Sequence, residues 1–384
     1  MSNPSPAEFV GNGPLFDGHV LHVVDTSVVV RWGPMLRQTL RALHDSGTPT
    51  SLVTNDRELP ANLEGTGVEC HAVEQLTGWR AWRLGERLLA RFRHPPKIVH
   101  LWGATGLAWV QRWCRRNHVP VVVHAFGVTD VAQLTAPRVD VQTRVAVASD
   151  HLAELGSQRA GDMARPWTVI PPGVALPRQS AATRTGERTL AVLCACSLDR
   201  PDAAGVLIDA IAELRRTQRD VQAVLVGAGP GTDLIWRQIH TRAVHDCCAV
   251  LDEPRLWEKG LPGADVCVVP ARQGDLWLTP LLAMGLGKLV IASRDQPAQW
   301  FIEGQTAWQF TPGSAVELAY LLTRAADQPQ HVQEATATAS AYFDTHHSIG
   351  ALLARLAALY RSIVDEGRTA GSAAAEHSGG DEHT

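Results

Sequence analysis

One pattern constrains this chain more than any other, and it occurs twice. Short, almost unbroken apolar runs alternate with helical stretches on both sides of a polar segment near the middle of the chain. In the first half the runs are HVLHVVDTSVVV (residues 19–30), TSLVTN (50–55), KIVHLWG (97–103), VPVVVHAFG (119–127), RVAVAS (144–149) and TVI (168–170). Leu36, Leu40 and Leu43 follow the first run at helical spacing, so a helix is expected from about Met35, with Gly47 just beyond its end. Residues 178–188 are rich in Ser, Thr and Arg and read as a linker. The pattern then restarts with TLAVLCACS, VQAVLVGAGP, CCAVLDE, ADVCVVPA and KLVIAS. A strand that is apolar along its whole length suits a parallel sheet covered by helices on both faces. Two such alternations predict an α/β architecture of two doubly wound, Rossmann-like domains facing across a cleft. The expected divisions are an extension (1–18), a first domain (19–177), the linker, a second domain (189–345), a closing helix (346–366) and a disordered tail (367–384). Ligands of such sheets bind beyond the carboxyl ends of the strands, so the cleft is the expected site.

Bulk properties narrow the function. The chain has 384 residues and a net charge of -4, without the basic excess typical of a nucleic-acid binder, so no nucleic-acid partner is expected. The first residues, MSNPSPAEFVGNG, lack a basic n-region and an apolar h-region, and no apolar run reaches the roughly 18 residues of a spanning helix. A cytoplasmic protein is therefore expected, with its seven cysteines reduced. Cys194 and Cys196 share one strand face without a further ligand at metal spacing, adjacent Cys247 and Cys248 make a poor tetrahedral pair, and no metal site is expected.

Two further features stand out. GWRAWRLGERLLARFRH places Arg80, Arg83, Arg87 and Arg91 on one helical face and Trp82, Leu88, Leu89 and Phe92 on another. Such a helix can lie against an anionic membrane, which would make the protein peripheral to the inner face, or it can be a solvated face over a core stripe. RQGDLWLTPLLAMGLGKLVIAS (272–293) follows an apolar strand and opens a helix, yet Asp275 is the only charged side chain between Gln273 and Lys288. Pro280 suits a first helical turn, and the amides of Leu276, Trp277 and Leu278 ahead of Thr279 could hold a phosphate without side-chain charge.

In order along the chain, KIVHLWG, VVVHAFG, VAVASDHLAEL, VIPPGV, AVLVGAGPG, LPGADVCVVPA and AMGLGKLVIAS resemble the GT-B-fold retaining glycosyltransferases. That large family includes bacterial mannosyl- and glucosyltransferases and sucrose synthases. The resemblance covers roughly residues 19–365. It implies a nucleotide-diphosphate sugar as co-substrate, held mainly by the second domain, no other cofactor and no metal. A glycan, lipid or small-molecule acceptor would sit on the first domain. Transfer would go by front-face attack assisted by the leaving phosphate. Gly33, the Gly227–Gly229 turn and the histidine position His124, with His100 as a weaker counterpart, match places near donor or sugar; for both histidines the alternative is a satisfied core residue.

The same alignment exposes four departures. Ser197 and Asp202 stand where the family has an arginine and a lysine on the donor phosphates. Gly274 and Leu282 stand where it has two glutamates on sugar and ribose. A diphosphate stripped of water needs fixed positive charge or donors. Arg31 and Arg200 are the candidate replacements for the cations, and Asp275 for the first glutamate. Two functions follow: a hexosyltransferase with an altered donor site, or a catalytically inactive glycosyltransferase-like binding or scaffold protein.

Overall fold

The computed structural model describes residues 13–78, 95–136, 139–140, 143–160, 166–176, 189–270 and 276–378, with side chains described as far as residue 366. The expected linker (178–188), the four arginines Arg80, Arg83, Arg87 and Arg91, and Gly274 and Asp275 lie outside the described residues.

The first domain is built on seven strands: β1 (Val20–Val24), β2 (Thr50–Thr54), β3 (Glu69–Ala72), β4 (Ile98–Trp102), β5 (Val121–Ala125), β6 (Arg144–Val147) and β7 (Trp167–Val169). Their order is β3-β2-β1-β4-β5-β6-β7, and every neighbouring pair is parallel. The second domain repeats the plan with β8 (Leu190–Ala195), β9 (Val221–Val226), β10 (Cys248–Leu251), β11 (Val266–Val269), β12 (Leu289–Ser293) and β13 (Trp308–Phe310), in the order β10-β9-β8-β11-β12-β13. Each sheet reverses its strand order once, between β1 and β4 and between β8 and β11, and those reversals are where α/β proteins bind ligands. Every residue of β1, β2, β4 and β5 is buried. That is why these strands carry no alternation of apolar and polar residues.

Helices cover both sheets. In the first domain they are α1 (Thr26–Asp45), α2 (Glu58–Asn62), α3 (Leu107–Asn117), α4 (Val128–Leu134) and α5 (Asp150–Ala160). The second domain adds α6 (Pro201–Arg216), α7 (Thr232–Thr241), α8 (Trp257–Gly260), α9 (Thr279–Gly285) and α10 (Ala315–Asp327). The chain closes with α11 (Pro329–His346) and α12 (Ile349–Ser378). Among the described residues no helix is long and apolar enough to cross a membrane.

The structure corrects the sequence expectation at α1. The helix starts at Thr26, not near Met35, and VVVRWG is helical rather than strand. Asp25 closes the strand and caps the helix, its Oδ1 accepting from Ser27 N at 3.0 Å. Pro34 therefore lies inside the helix rather than at its start. Gly47 follows the helix with φ +82°, a backbone state open to glycine at little cost. The short strands β3 and β13 carry too few residues to show a pattern. On α11, buried Ala335, Ala339 and Phe343 fall four apart among small polar residues, a stripe too thin to stand out in the sequence.

The closing helix packs against the first domain. Leu352, Leu356 and Tyr360 of α12 share one core with β1, β4 and β5. Tyr360 Oη bonds His100 Nδ1 at 2.5 Å, and its ring meets Phe16 edge-on at 5.6 Å. Within the expected disordered tail (367–384) the backbone of α12 stays helical to Ser378, and residues 379–384 lie outside the described residues.

Candidate functional site

A cavity of about 470 Å³ opens between the domains, at the carboxyl ends of both sheets. Its first-domain wall is Ser27, Val30 and Arg31 of α1, Thr105 after β4, and Thr129, Asp130 and Gln133 of α4. The second-domain wall comes from Ala195, Cys196, Ser197, Asp199 and Arg200 at the end of β8 and beyond, Ala228 after β9, Pro254, Val269 and Pro270 at the end of β11, and Leu276, Trp277, Pro280, Gln296 and Phe301. Both strand-order reversals thus contribute, as the fold requires.

The second-domain loops are shaped by glycine. A Cβ on Gly227 would lie 2.0 Å from Cys196 O, and one on Gly229 2.6 Å from Asp199 N. Without them the β8 and β9 loops meet directly, Leu198 N donating to Ala228 O at 3.2 Å and Gly231 N to Leu198 O at 3.0 Å. These glycines hold the loops together while Ala228 between them lines the cavity. Ser197 lies on that lining, its hydroxyl donating to Asp199 at 2.8 Å. Arg200, at the entrance to α6, is well exposed and stands 3.7 Å from Asp202, a surface pair that leaves the guanidinium at the cavity edge.

On the opposite wall, Arg31 is buried and donates from Nε to Ser27 O at 3.0 Å. Asp130 was not singled out by sequence. It holds two loops of this wall, its Oδ1 accepting from Ala104 N and its Oδ2 from Phe126 N, each at 2.9 Å. The signal was there, an acid in the first turn of a helix after a Gly-containing strand end, but such residues are common. The described lining therefore carries two arginines, one from each domain, and two aspartates, Asp130 and Asp199.

Several expected site residues are placed elsewhere. Gly33 lies within α1, beside Arg37 and Glu258, and does not reach the cavity. His124 is fully buried in the first domain, its Nε2 against Ile170 O at 3.1 Å and its ring stacked on Phe126 at 4.5 Å. Burial holds its pKa down to about 3, so it is neutral and shielded from the cleft. His100 is equally buried. Two of the three amides expected to face a phosphate are already bonded: Leu276 N donates to Phe126 O at 3.1 Å and Leu278 N to Arg31 O at 3.2 Å. Trp277 and Leu276 still line the cavity with their side chains, whereas Thr279 does not. Leu282 is buried in the core, where a carboxylate would be costly.

The order of both sheets, the helices on both faces and the shared cleft decide the architecture. The fold is GT-B. Residues 189–328, most of the second GT-B domain, match the family model described as glycosyl transferases group 1. None of the curated proteins matches the chain. Solved GT-B structures do resemble it. A glycosyltransferase from Rickettsia africae is 14% identical, with a TM-score of 0.69 over 92% of this chain and 99% of its own. Sucrose-phosphate synthase from Thermosynechococcus elongatus is 17% identical, with a TM-score of 0.71 over 91% and 100%. Anabaena Alr3699/HepE, solved with UDP and glucose, is 16% identical, with a TM-score of 0.73 over 90% and 100%.

Proposed function

We propose that the protein is a glycosyltransferase that moves a hexose, with retention, from a nucleotide-diphosphate sugar bound in the interdomain cleft to an acceptor on the first domain. The observation that carries this reading is the cavity itself. It sits at the order reversals of both sheets, one wall belongs to the segment that matches group 1 glycosyltransferases, and an arginine projects from each domain.

In this reading Arg31 and Arg200 neutralise the diphosphate from opposite sides, in place of the cations missing at Ser197 and Asp202. Guanidinium suits that task, because it stays charged and offers several donors in a plane. The nucleoside lies along the β8 and β9 loops, and the sugar against Leu276 and Trp277. The acceptor oxygen attacks the anomeric carbon on the face the diphosphate leaves. The new C–O bond forms as the bond to the phosphate oxygen breaks, and the acceptor proton passes to that oxygen. No protein nucleophile is required. With two arginines as the counter-charge, the reaction runs without a metal ion, and a chelator leaves it unchanged.

The test is to incubate the full chain with UDP-, GDP- and ADP-sugars and follow release of free sugar and nucleoside diphosphate. Slow hydrolysis of one donor class supports the reading. Silence across all three, together with an unmoved melting temperature, would leave the inactive scaffold. That reading draws on one observation, the bonding of the Leu276 and Leu278 amides to the facing domain.

A further inference from the structure

Pro34 sits near the middle of α1, a helix of 20 residues. Proline has no N–H, so the carbonyl four residues earlier loses its helical donor, and the ring pushes that carbonyl outward. Here that carbonyl belongs to Val30. It is not left bare: the indole Nε1 of Trp257, from α8 of the second domain, donates to it at 3.0 Å. The next carbonyl along α1, Arg31 O, accepts from Leu278 N at 3.2 Å. Trp257 is fully buried at this junction, and its neighbour Glu258 meets Arg37 of α1 at 2.9 Å.

We infer that Pro34 and Trp257 form a latch that sets the closed spacing of the cleft, and that both act as positioning residues for the Leu276–Trp277 wall of the cavity. A buried indole N–H without an acceptor, or a buried carbonyl without a donor, is costly, so each half of the latch needs the other when the domains close. The helix defect and the tryptophan sit in different domains, with 223 positions between them in the chain, yet each supplies what the other lacks. The next residue along α1, Arg31, contributes both the Leu278 contact and a cavity-facing guanidinium. The latch thereby ties domain spacing to the place where the proposed phosphate charge is met. It holds whichever ligand the cleft takes.

Two substitutions separate the latch from ordinary packing. Pro34→Ala returns an N–H to the helix, where it competes with Trp257 for the Val30 carbonyl, and it is a favourable change for an isolated helix. Trp257→Phe removes the donor and keeps an aromatic ring. Hydrogen exchange on the full chain without ligand, read at the amides of Leu276 and Leu278, reports whether the domains separate. The latch predicts exchange about tenfold faster at both amides in either variant, with α1 exchange unchanged or slower in Pro34→Ala. It also predicts that the double variant opens no further than either single one, because both act on one carbonyl. Unchanged protection at Leu276 and Leu278 in Pro34→Ala, with the variant folded, would overturn the inference, and so would effects that add in the double variant. Nucleotide binding plays no part in this readout, so its failure and the failure of the proposed function are separate events.

Discussion

The two domains share one strand order and differ in what fills them. The first sheet buries a ladder of rings on one face: His22 on β1, His100 and Trp102 on β4, His124 on β5, and Phe126 just beyond. His100 lies 4.3 Å from Trp102 and 5.8 Å from His124, nearly parallel to both. Trp102 Nε1 donates to His22 Nδ1 at 3.0 Å, and Tyr360 of the returning helix closes the ladder on His100. The second sheet buries mainly aliphatic residues and thiols instead, among them Cys194, Cys248 and Cys267, with Trp308 and Phe310 confined to its edge strand β13. Burial pushes the Cys248 and Cys267 thiols up to about 12, so they behave as small apolar groups at neutral pH. The same topology therefore tolerates a polar, aromatic interior or an apolar one, even though His22 Nε2, His100 Nε2 and His124 Nδ1 meet no hydrogen-bond partner among the described residues. The difference has a consequence: the ring-filled domain buries neutral histidines that resist being charged by acid while the domain stays folded.

Acid should expose this contrast most strongly. Burial lowers His22 and His124 to about 3 and His347 to about 4, against 6.5 when unfolded. The unfolded chain binds more protons than the folded one between these values. The stabilising contribution is thus present above pH 6.5 and is lost as pH falls towards the folded values. At pH 5 each of the three contributes a loss of about 2 kcal/mol. A pH series of denaturant melts, followed by exchange resolved along the chain, should show residues 19–176 and α12 opening before residues 189–328. Both domains opening together at every pH would break the comparison.

A charge placed in the apolar interior tests the other side. Leu282→Glu restores the side-chain type that the resembling enzymes have there. Its site is buried, so the variant should lose about 3 kcal/mol of stability. Chemical melts at pH 7 read this directly; a neutral outcome would mean that α9 opens to the cleft. Tyr360→Phe is a smaller change. It leaves His100 Nδ1 without its partner and should cost about 1–3 kcal/mol, with the loss concentrated in the first domain. Arg200→Ala sits at the small end. Exposed at the cavity edge, it should leave the melting temperature within about 1 °C while weakening nucleotide binding several-fold.

Much of this fold could be read in the sequence because the constraint is physical. Strands buried on both faces are mostly apolar along their whole length, and helices covering them must carry a stripe. The existence of β1, β4, β5, β8, β9, β11 and β12 and the opening helix at Thr279–Gly285 follow from that. What escaped detection was of two kinds. Pro34 reads as a helix start, since nothing local reveals that a tryptophan 223 positions later satisfies the carbonyl it strands. The site was legible as a place and less so as a set of residues. Ser197, Arg200 and Arg31 do line the cleft, together with Leu276 and Trp277. Asp130 was missed because its role is to bond two loops, a matter of distance in space. His124 was expected at the cleft because it ends a strand; it points instead into the ring ladder.

The central claim is that this cleft takes a nucleotide-diphosphate sugar. Calorimetry of the full chain with UDP, GDP and ADP tests it most directly, alongside a variant in which Ala228→Trp fills the cavity. The account predicts saturable one-to-one binding of at least one nucleotide, abolished in that variant and weakened in Arg200→Ala. No binding by any of the three, or binding that survives Ala228→Trp undiminished, would contradict it.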